Sequence, residues 1–103
     1  MAQFDLHRSR GALARSTPYL VILQADAAAT PASVVVAPMR PISKSMPLVK
    51  HLHVEVQLDG TSYLVMPEEL ISMPRDALGS RVGSLASLRF AFTAALDFLF
   101  TGF

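Results

Sequence analysis

The sequence SLASLRFAFTAALDFLFTGF, residues 84–103, sets the architecture of this 103-residue chain. Its few polar residues include Arg89, Thr93 and Asp97, which are spaced four apart and therefore share one face of an α-helix. Nearly all other positions are apolar, so the pattern predicts one helix of about four and a half turns. A helix that is apolar nearly all round is buried on more than one side. We therefore expect one side to pack on the chain's own sheet and another side to contact a partner.

The sequence before this helix consists of short apolar or alternating runs that are typical of β-strands. The clearest run ends at Asp59-Gly60, which is a strong hairpin signal. The predicted strands cover residues 3–7, 19–25, 33–39, 52–58, 61–67 and 70–73. Within residues 33–39, Pro38 predicts an edge or a bulge. A series of antiparallel strands followed by one helix predicts a single domain, residues 1–103, of the α+β class, mainly β and barrel-like.

The composition limits the kinds of function that this chain can have. Charged residues make up only 17% and hydrophobic residues 51%, which predicts exposed apolar surface that a homodimer would cover. A formal net charge of +1 argues against direct binding of nucleic acid. The absence of cysteine excludes disulfides, thiolate nucleophiles and zinc–thiolate sites. Residues 1–11 lack the apolar core of a secretory signal, and Arg89 and Asp97 interrupt the helix, so we expect a cytoplasmic protein without a membrane anchor.

One group of residues has side chains that could bind a metal. His51, His53 and Glu55 are two apart, so they point the same way from one strand. The solvated face of a half-buried strand explains the same pattern, and we favour it. Nucleophile and phosphate-binding motifs are absent from the sequence. The residues therefore predict a binding protein that is not an enzyme and needs neither a metal nor a cofactor.

Two polar loops carry most of the cations. Residues 8–18 contain Arg8, Arg10 and Arg15, and residues 40–50 contain Arg40, Lys44 and Lys50. Guanidinium groups bind carboxylates and phosphates in a bidentate manner. These loops are either ordinary solvated loops or a surface for an acidic partner.

Several ordered patches resemble a known family. The longest patch is VQLDGTSYLVMPEELISMPRDALGSRVGSL, residues 56–85. Shorter patches include Gln3-Phe4 and the C-terminal pattern aromatic–X–Gly–apolar at residues 100–103. Further matching positions are Gln24, Asp26, Thr30, Pro31, Pro38, Met39, Ser62, Tyr63, Met66, Ser72, Pro74, Gly79, Val82 and Leu85. Over nearly its full length the chain resembles the CcdB family of toxins from type II toxin–antitoxin modules.

The resemblance implies a fold and a function. The implied fold is a homodimer with a twisted antiparallel sheet of SH3-like barrel type, a small accessory sheet and a long C-terminal helix. Members of this family bind the A subunit of DNA gyrase and trap the cleaved-DNA complex. A cognate antitoxin, whose disordered C-terminal part wraps the toxin, neutralises them.

The resemblance also implies which residues bind the partners. The family's gyrase contacts, a tryptophan, a glycine and an isoleucine, fall on Thr101, Gly102 and Phe103. Thr101 departs from the pattern, and Phe103 or Phe100 would have to replace the lost aromatic contact. Gly102 is explained equally well as a helix stop. Antitoxin binding is expected at the two basic loops, through Arg8, Arg10, Arg15, Arg40 and Lys44.

Two alternatives remain open at the level of the sequence. Related toxins with the same barrel cut messenger RNA, and the fold alone does not exclude that activity. A homolog that has lost or changed its topoisomerase target would also explain the departure at Thr101.

Overall fold

A computed structural model describes residues 1–102 of the chain. Seven strands and two α-helices make up most of it. In chain order they are β1 (Asp5–Arg8), α1 (Leu13–Ser16), β2 (Tyr19–Ile22), β3 (Ser33–Pro41), β4 (Val54–Leu58), β5 (Thr61–Val65), β6 (Ile71–Pro74), β7 (Arg81–Ser84) and α2 (Arg89–Thr101). The predicted α+β fold, mainly β and with a C-terminal helix, is confirmed.

The strands form one curled, antiparallel half-barrel sheet in the order β4-β5-β3-β2-β1-β7. Strand β6 lies off this path and pairs with the first half of β3, while β5 pairs with the second half. The accessory sheet implied by the resemblance is therefore joined to the main sheet through β3.

Pro38 lies where β3 changes partners, between its pairing with β6 and its pairing with β5. The amide of Met66 donates a hydrogen bond to the Pro38 carbonyl (3.1 Å). Proline has no N–H to donate, and the gap between two partner strands is a position where none is needed. The expected edge or bulge is therefore replaced by a change of partner strand.

Local predictions and observed elements differ mainly at their ends. The predicted strand 52–58 begins at Val54, because residues 49–53 form a turn closed by hydrogen bonds to the Val49 carbonyl. The predicted helix begins at Arg89, since residues 86–88 form a 3₁₀ turn. Strand β7 was not predicted, because a four-residue strand that contains glycine has no clear pattern of its own. The first polar loop contains the short helix α1.

Helix α2 packs against the main core through Phe92 and Ala95, which are completely buried. Phe92 stacks on Phe4 with ring centroids 5.1 Å apart and ring planes 15° apart. The Phe4 backbone accepts a hydrogen bond from Leu85 (2.8 Å) and donates one to Ile22 (2.6 Å). Phe4 thus joins β2, the chain before α2 and the helix itself. Its φ of +68° is costly for a bulky residue, and these contacts hold it there.

The opposite face of the sheet buries a second apolar cluster. Its members come from β2, β3, β6 and the segment after β6: Leu20, Ile22, Val34, Val36, Met73 and Leu78. Because the sheet is covered on both faces, its central strands are apolar without interruption, as expected for doubly buried strands.

The N-terminal end of β1 is joined to β7 by an ion pair. The Asp5 side chain is 6% exposed, and its carboxylate lies 3.1 Å from Arg81 and accepts a hydrogen bond from the Ala2 amide. Burial acts to raise the pKa of Asp5, but the hydrogen bonds from Arg81 and Ala2 and the charge of Arg81 outweigh it. The pKa of Asp5 is therefore below its usual value.

The outer side of α2 confirms the apolar surface predicted from composition. Phe90 is 84% exposed, and Ala91 and Ala94 are exposed as well. Within residues 1–102, no helix combines the length and the apolar character needed to cross a bilayer.

Candidate functional site

The C-terminal end of α2 carries three of the four residues that the resemblance assigned to target binding. Phe100 is 70% exposed, and Thr101 and Gly102 are exposed. Phe103, the fourth, lies outside the described residues. The structure therefore presents Phe100, Thr101 and Gly102 together at one solvent-facing helix end.

Two hydrogen bonds shape this end. The Thr101 hydroxyl donates to the Asp97 carbonyl (2.6 Å), so its polar group is used within the helix. Gly102 has a φ of +80° and donates its N–H to the Phe98 carbonyl (2.9 Å). Glycine adopts this left-handed conformation without a Cβ penalty, which ends the helix. Gly102 is thus a helix stop in this structure, and that role does not conflict with a contact to a partner.

A groove of about 650 Å³ runs between α2 and the start of β4. Its walls are mostly apolar and include small residues of the helix. The lining residues are His51, His53, Val54, Glu55, Leu88, Ala91, Ala94, Phe98 and Gly102. Since Gly102 lines it, the groove opens beside the exposed helix end. The sequence did not predict it, because its two walls are more than thirty residues apart in the chain.

His53 holds the turn between the second basic loop and β4. Its side chain is 1% exposed. Its Nδ1 accepts a hydrogen bond from the Val49 amide (3.1 Å), so the proton of a neutral ring is on Nε2, which is 2.6 Å from a Glu68 carboxylate oxygen. The prediction that this side chain lies on a solvated strand face is therefore wrong.

His51 lies in the same turn but has a different role. Its φ of +71° places it in the left-handed region. Its ring meets the Phe98 ring at a centroid distance of 6.1 Å and an interplanar angle of 60°. Glu55 is exposed and accepts a hydrogen bond from Gln57. Among residues 1–102, no three histidine, cysteine or acidic side chains are arranged to hold a metal, so the motif His51–His53–Glu55 does not converge.

The five cations assigned to antitoxin binding divide into two groups. Arg40 is used within the fold: it donates to Thr17 Oγ1 (2.9 Å) and pairs with Glu69 (2.9 Å). Arg10 donates to the Asp76 carbonyl (3.0 Å). Arg15 and Lys44 are exposed, as is Arg8.

Arg8, at the C-terminal end of β1, belongs to an aromatic cluster with Tyr19 and Tyr63. Its guanidinium carbon lies 5.8 Å from the centre of the Tyr19 ring, a distance that allows a cation–π contact. Tyr63 meets Tyr19 edge-on at 5.4 Å. Burial raises the pKa of Tyr63, and the neighbouring Tyr19 raises it further. Arg40, which was predicted to lie in a loop, belongs to β3, and its bond to Thr17 joins that strand to the first basic loop. Because Arg8 pairs with Tyr19 and Tyr19 with Met39, Arg8 and Arg40 lie in one region.

Comparison with known proteins adds a family and a fold. A family model described as "CcdB protein" matches residues 3–102. A search of curated proteins finds no match. Among solved structures, an endoribonuclease in complex with its cognate antitoxin, from a mycobacterial species, is similar with a TM-score of 0.70. It is 16% identical, and the alignment covers 94% of this chain and 91% of that chain.

Proposed function

This chain belongs to the CcdB family, and on that basis we propose that it is the toxin of a toxin–antitoxin pair that poisons DNA gyrase. In this proposal it binds the A subunit of gyrase, traps the cleaved-DNA complex and is neutralised by a cognate antitoxin. It acts in the cytoplasm by binding alone, without a cofactor or metal. The family match over residues 3–102 is the observation that carries the proposal.

The exposed end of α2 supports this proposal. Phe100 offers a large aromatic surface, and the left-handed Gly102 turns the chain out of the helix beside it. Thr101 offers a methyl group and a hydroxyl oxygen that can still accept, because its O–H is donated to the Asp97 carbonyl; it has no aromatic ring. A stacked aromatic–arginine contact contributes about 0.5–2 kcal/mol. The absence of the family's tryptophan at position 101 therefore weakens target binding, and the Phe100 ring supplies part of the lost contact.

A DNA cleavage assay tests the proposal. Purified protein is incubated with both gyrase subunits, ATP and supercoiled plasmid, and the reaction is stopped with detergent and protease. We expect linear DNA to accumulate, and we expect the Thr101→Trp variant to produce more of it. Linear DNA with the Thr101→Trp variant alone would show that the natural target has changed or been lost. If neither protein produces linear DNA, the gyrase proposal is wrong.

We propose that the antitoxin binds through exposed cations at the end of β1 and in the two basic loops. Arg8, Arg15 and Lys44 are available for an acidic segment, whereas Arg10 and Arg40 already bind groups of this chain. This division narrows the expectation that Arg8, Arg10, Arg15, Arg40 and Lys44 all bind the antitoxin. We expect the Arg15→Glu/Lys44→Glu double variant to bind the antitoxin more weakly in calorimetry while its thermal unfolding stays unchanged. Unchanged affinity would place the antitoxin elsewhere.

A homodimer is proposed from the exposed surface of α2. Phe90 is 84% exposed, and the exposed Ala91 and Ala94 beside it are also apolar, a combination typical of an interface. Light scattering after gel filtration should give about twice the mass of 11.1 kDa. Phe90→Asp should shift the protein toward the monomer, and a wild-type monomer at micromolar concentration would refute the proposal.

RNA cleavage is the second candidate function. It is favoured by the shared fold with an endoribonuclease and by the arrangement of Arg8, Tyr19 and Tyr63, since arginine and aromatic rings bind single-stranded RNA. The net charge of +1 argues against it. Incubation with total RNA discriminates the two candidates: degradation that Arg8→Ala abolishes would support cleavage, and intact RNA would exclude it.

A further inference from the structure

We propose that His51 is a positioning residue for the C-terminal end of α2. The inference rests on the proposed function, in which that end contacts the target. It concerns a residue of the turn before β4, which is far from α2 in the sequence and adjacent to it in space.

The backbone of His51 indicates that its position is imposed by its surroundings. A left-handed conformation is uncommon for residues other than glycine, and His51 adopts it with a φ of +71°. The turn around it is held from several sides. The amides of Leu52 and His53 both donate to the Val49 carbonyl (3.2 and 3.0 Å). The buried His53 ring bonds to the Val49 amide and to Glu68.

Because the turn is held in this way, the His51 side chain points toward α2. Its ring packs against Phe98 in an inclined arrangement, 6.1 Å between centroids, within the range of favourable aromatic pairs. Phe98 is half-buried and lines the groove, one helical turn after the buried Ala95. His51 therefore contacts Phe98 from the groove side of α2.

Phe98 in turn holds the end of the helix. Its carbonyl accepts the Gly102 N–H (2.9 Å), the bond that closes the left-handed cap. A continuous set of contacts thus runs from the His53 anchor through His51 and Phe98 to Gly102. Without the His51 ring, the last turn of α2 would fray more often, and the target-binding end would lose its preset orientation.

Two substitutions at His51 separate positioning from stability. Asparagine tolerates the left-handed conformation but has no ring, while phenylalanine keeps a ring and is unfavourable in that conformation. We expect His51→Asn to leave the unfolding midpoint unchanged or raised. We also expect it to increase amide exchange at Gly102 roughly two- to tenfold, the range that corresponds to one aromatic pair. His51→Phe should lower the midpoint and keep Gly102 exchange slow.

The matched control is Asp59→Gly. Asp59 also has a positive φ, +50°, and lies in the β4–β5 turn, so this variant relieves the same kind of backbone strain without losing a contact to α2. It should leave Gly102 exchange unchanged.

Affinity for the gyrase A subunit, measured by calorimetry, should fall with His51→Asn by the same factor as exchange rises, and should be retained with His51→Phe.

The outcomes are distinguishable. The inference is wrong if His51→Asn leaves Gly102 exchange unchanged, or if exchange follows the unfolding midpoint in both His51 variants, since that would show a purely structural role. If the wild-type protein does not bind the A subunit, the proposed function fails. The exchange data then decide alone whether His51 positions the end of α2.

Discussion

Replacing Phe92 with alanine should remove a large part of the folding free energy. Phe92 is 0% exposed and stacks on Phe4, which is itself fully buried and bonded through its backbone to two other segments. Truncation therefore leaves a cavity between α2 and the sheet, and the surrounding backbone has little freedom to close it.

The magnitude follows from the burial of the ring. Replacing a buried phenylalanine with alanine costs about 3–5 kcal/mol through lost transfer energy and cavity formation. Loss of the stacked pair accounts for about 0.5–1.5 kcal/mol beyond area burial. A domain of this size is stable by about 5–15 kcal/mol. We therefore expect about 4 kcal/mol of destabilisation, which leaves the variant folded but marginal.

Urea denaturation followed by far-UV circular dichroism measures the effect. With a slope of about 1–3 kcal/mol per molar urea, the midpoint should fall by more than about 1 M. Phe90→Ala is the matched control, because it removes the same side chain from the same helix at an 84% exposed position. Its effect should stay within about 0.5 kcal/mol for a monomer.

Urea denaturation at several protein concentrations tests whether Phe90 lies in a dimer interface. If Phe90 lies in a dimer interface, Phe90→Ala lowers the midpoint more as the protein concentration rises, because the wild-type dimer gains stability by mass action. Equal effects of Phe92→Ala and Phe90→Ala at every concentration would refute the packing described above. So would a loss below about 1 kcal/mol for Phe92→Ala.

Three further predictions concern single residues. The pKa of Asp5 is lowered in the folded state. The stabilisation from its ionised form is therefore complete above the unfolded pKa of about 3.9 and is lost as the pH falls through the folded pKa. Asp5→Asn should flatten the loss of unfolding free energy between about pH 5 and pH 2, and an unchanged profile would contradict the ion pair. Gly79→Ala should destabilise the protein by about 1–3 kcal/mol, because a Cβ there would lie 2.6 Å from a backbone carbonyl oxygen. Gly83→Ala, with nothing within 4 Å, is the control and should be neutral or slightly stabilising in thermal unfolding. Arg40→Ala should lower the free energy of unfolding by about 1–2 kcal/mol, since it leaves the buried Thr17 hydroxyl without its donor. Arg15→Ala is the control and should have no measurable effect. Equal thermal midpoints for the two variants would show that the bonds of Arg40 are not needed.

Much of the fold was predictable from local sequence. The Asp59-Gly60 turn joins β4 and β5 as expected, and Asp59 and Gly60 both adopt positive φ. The apolar face of α2 with Phe92 at its centre is buried. These features depend on residues that are neighbours along the chain or one helical turn apart, so their pattern is visible in the sequence.

The site was predictable only in part. The resemblance led to Phe100, Thr101 and Gly102, and these lie together because they end one helix. The basic loops were found from their composition. Composition did not show that Arg40 is bonded to Thr17 and Glu69. The neighbours of each cation are set by the fold, and the sequence of the loop does not contain them.

Local chemistry along the chain was thus sufficient for the hairpin, for six of the seven described strands and for the C-terminal helix. The burial of His53, the left-handed His51 against Phe98 and the groove beside Gly102 arise from contacts between segments that are distant in the sequence. Their energies depend on the curl of the sheet and on where α2 lies on it. A one-dimensional pattern of apolar and polar residues does not contain that information, because the same pattern is compatible with many relative placements of its elements.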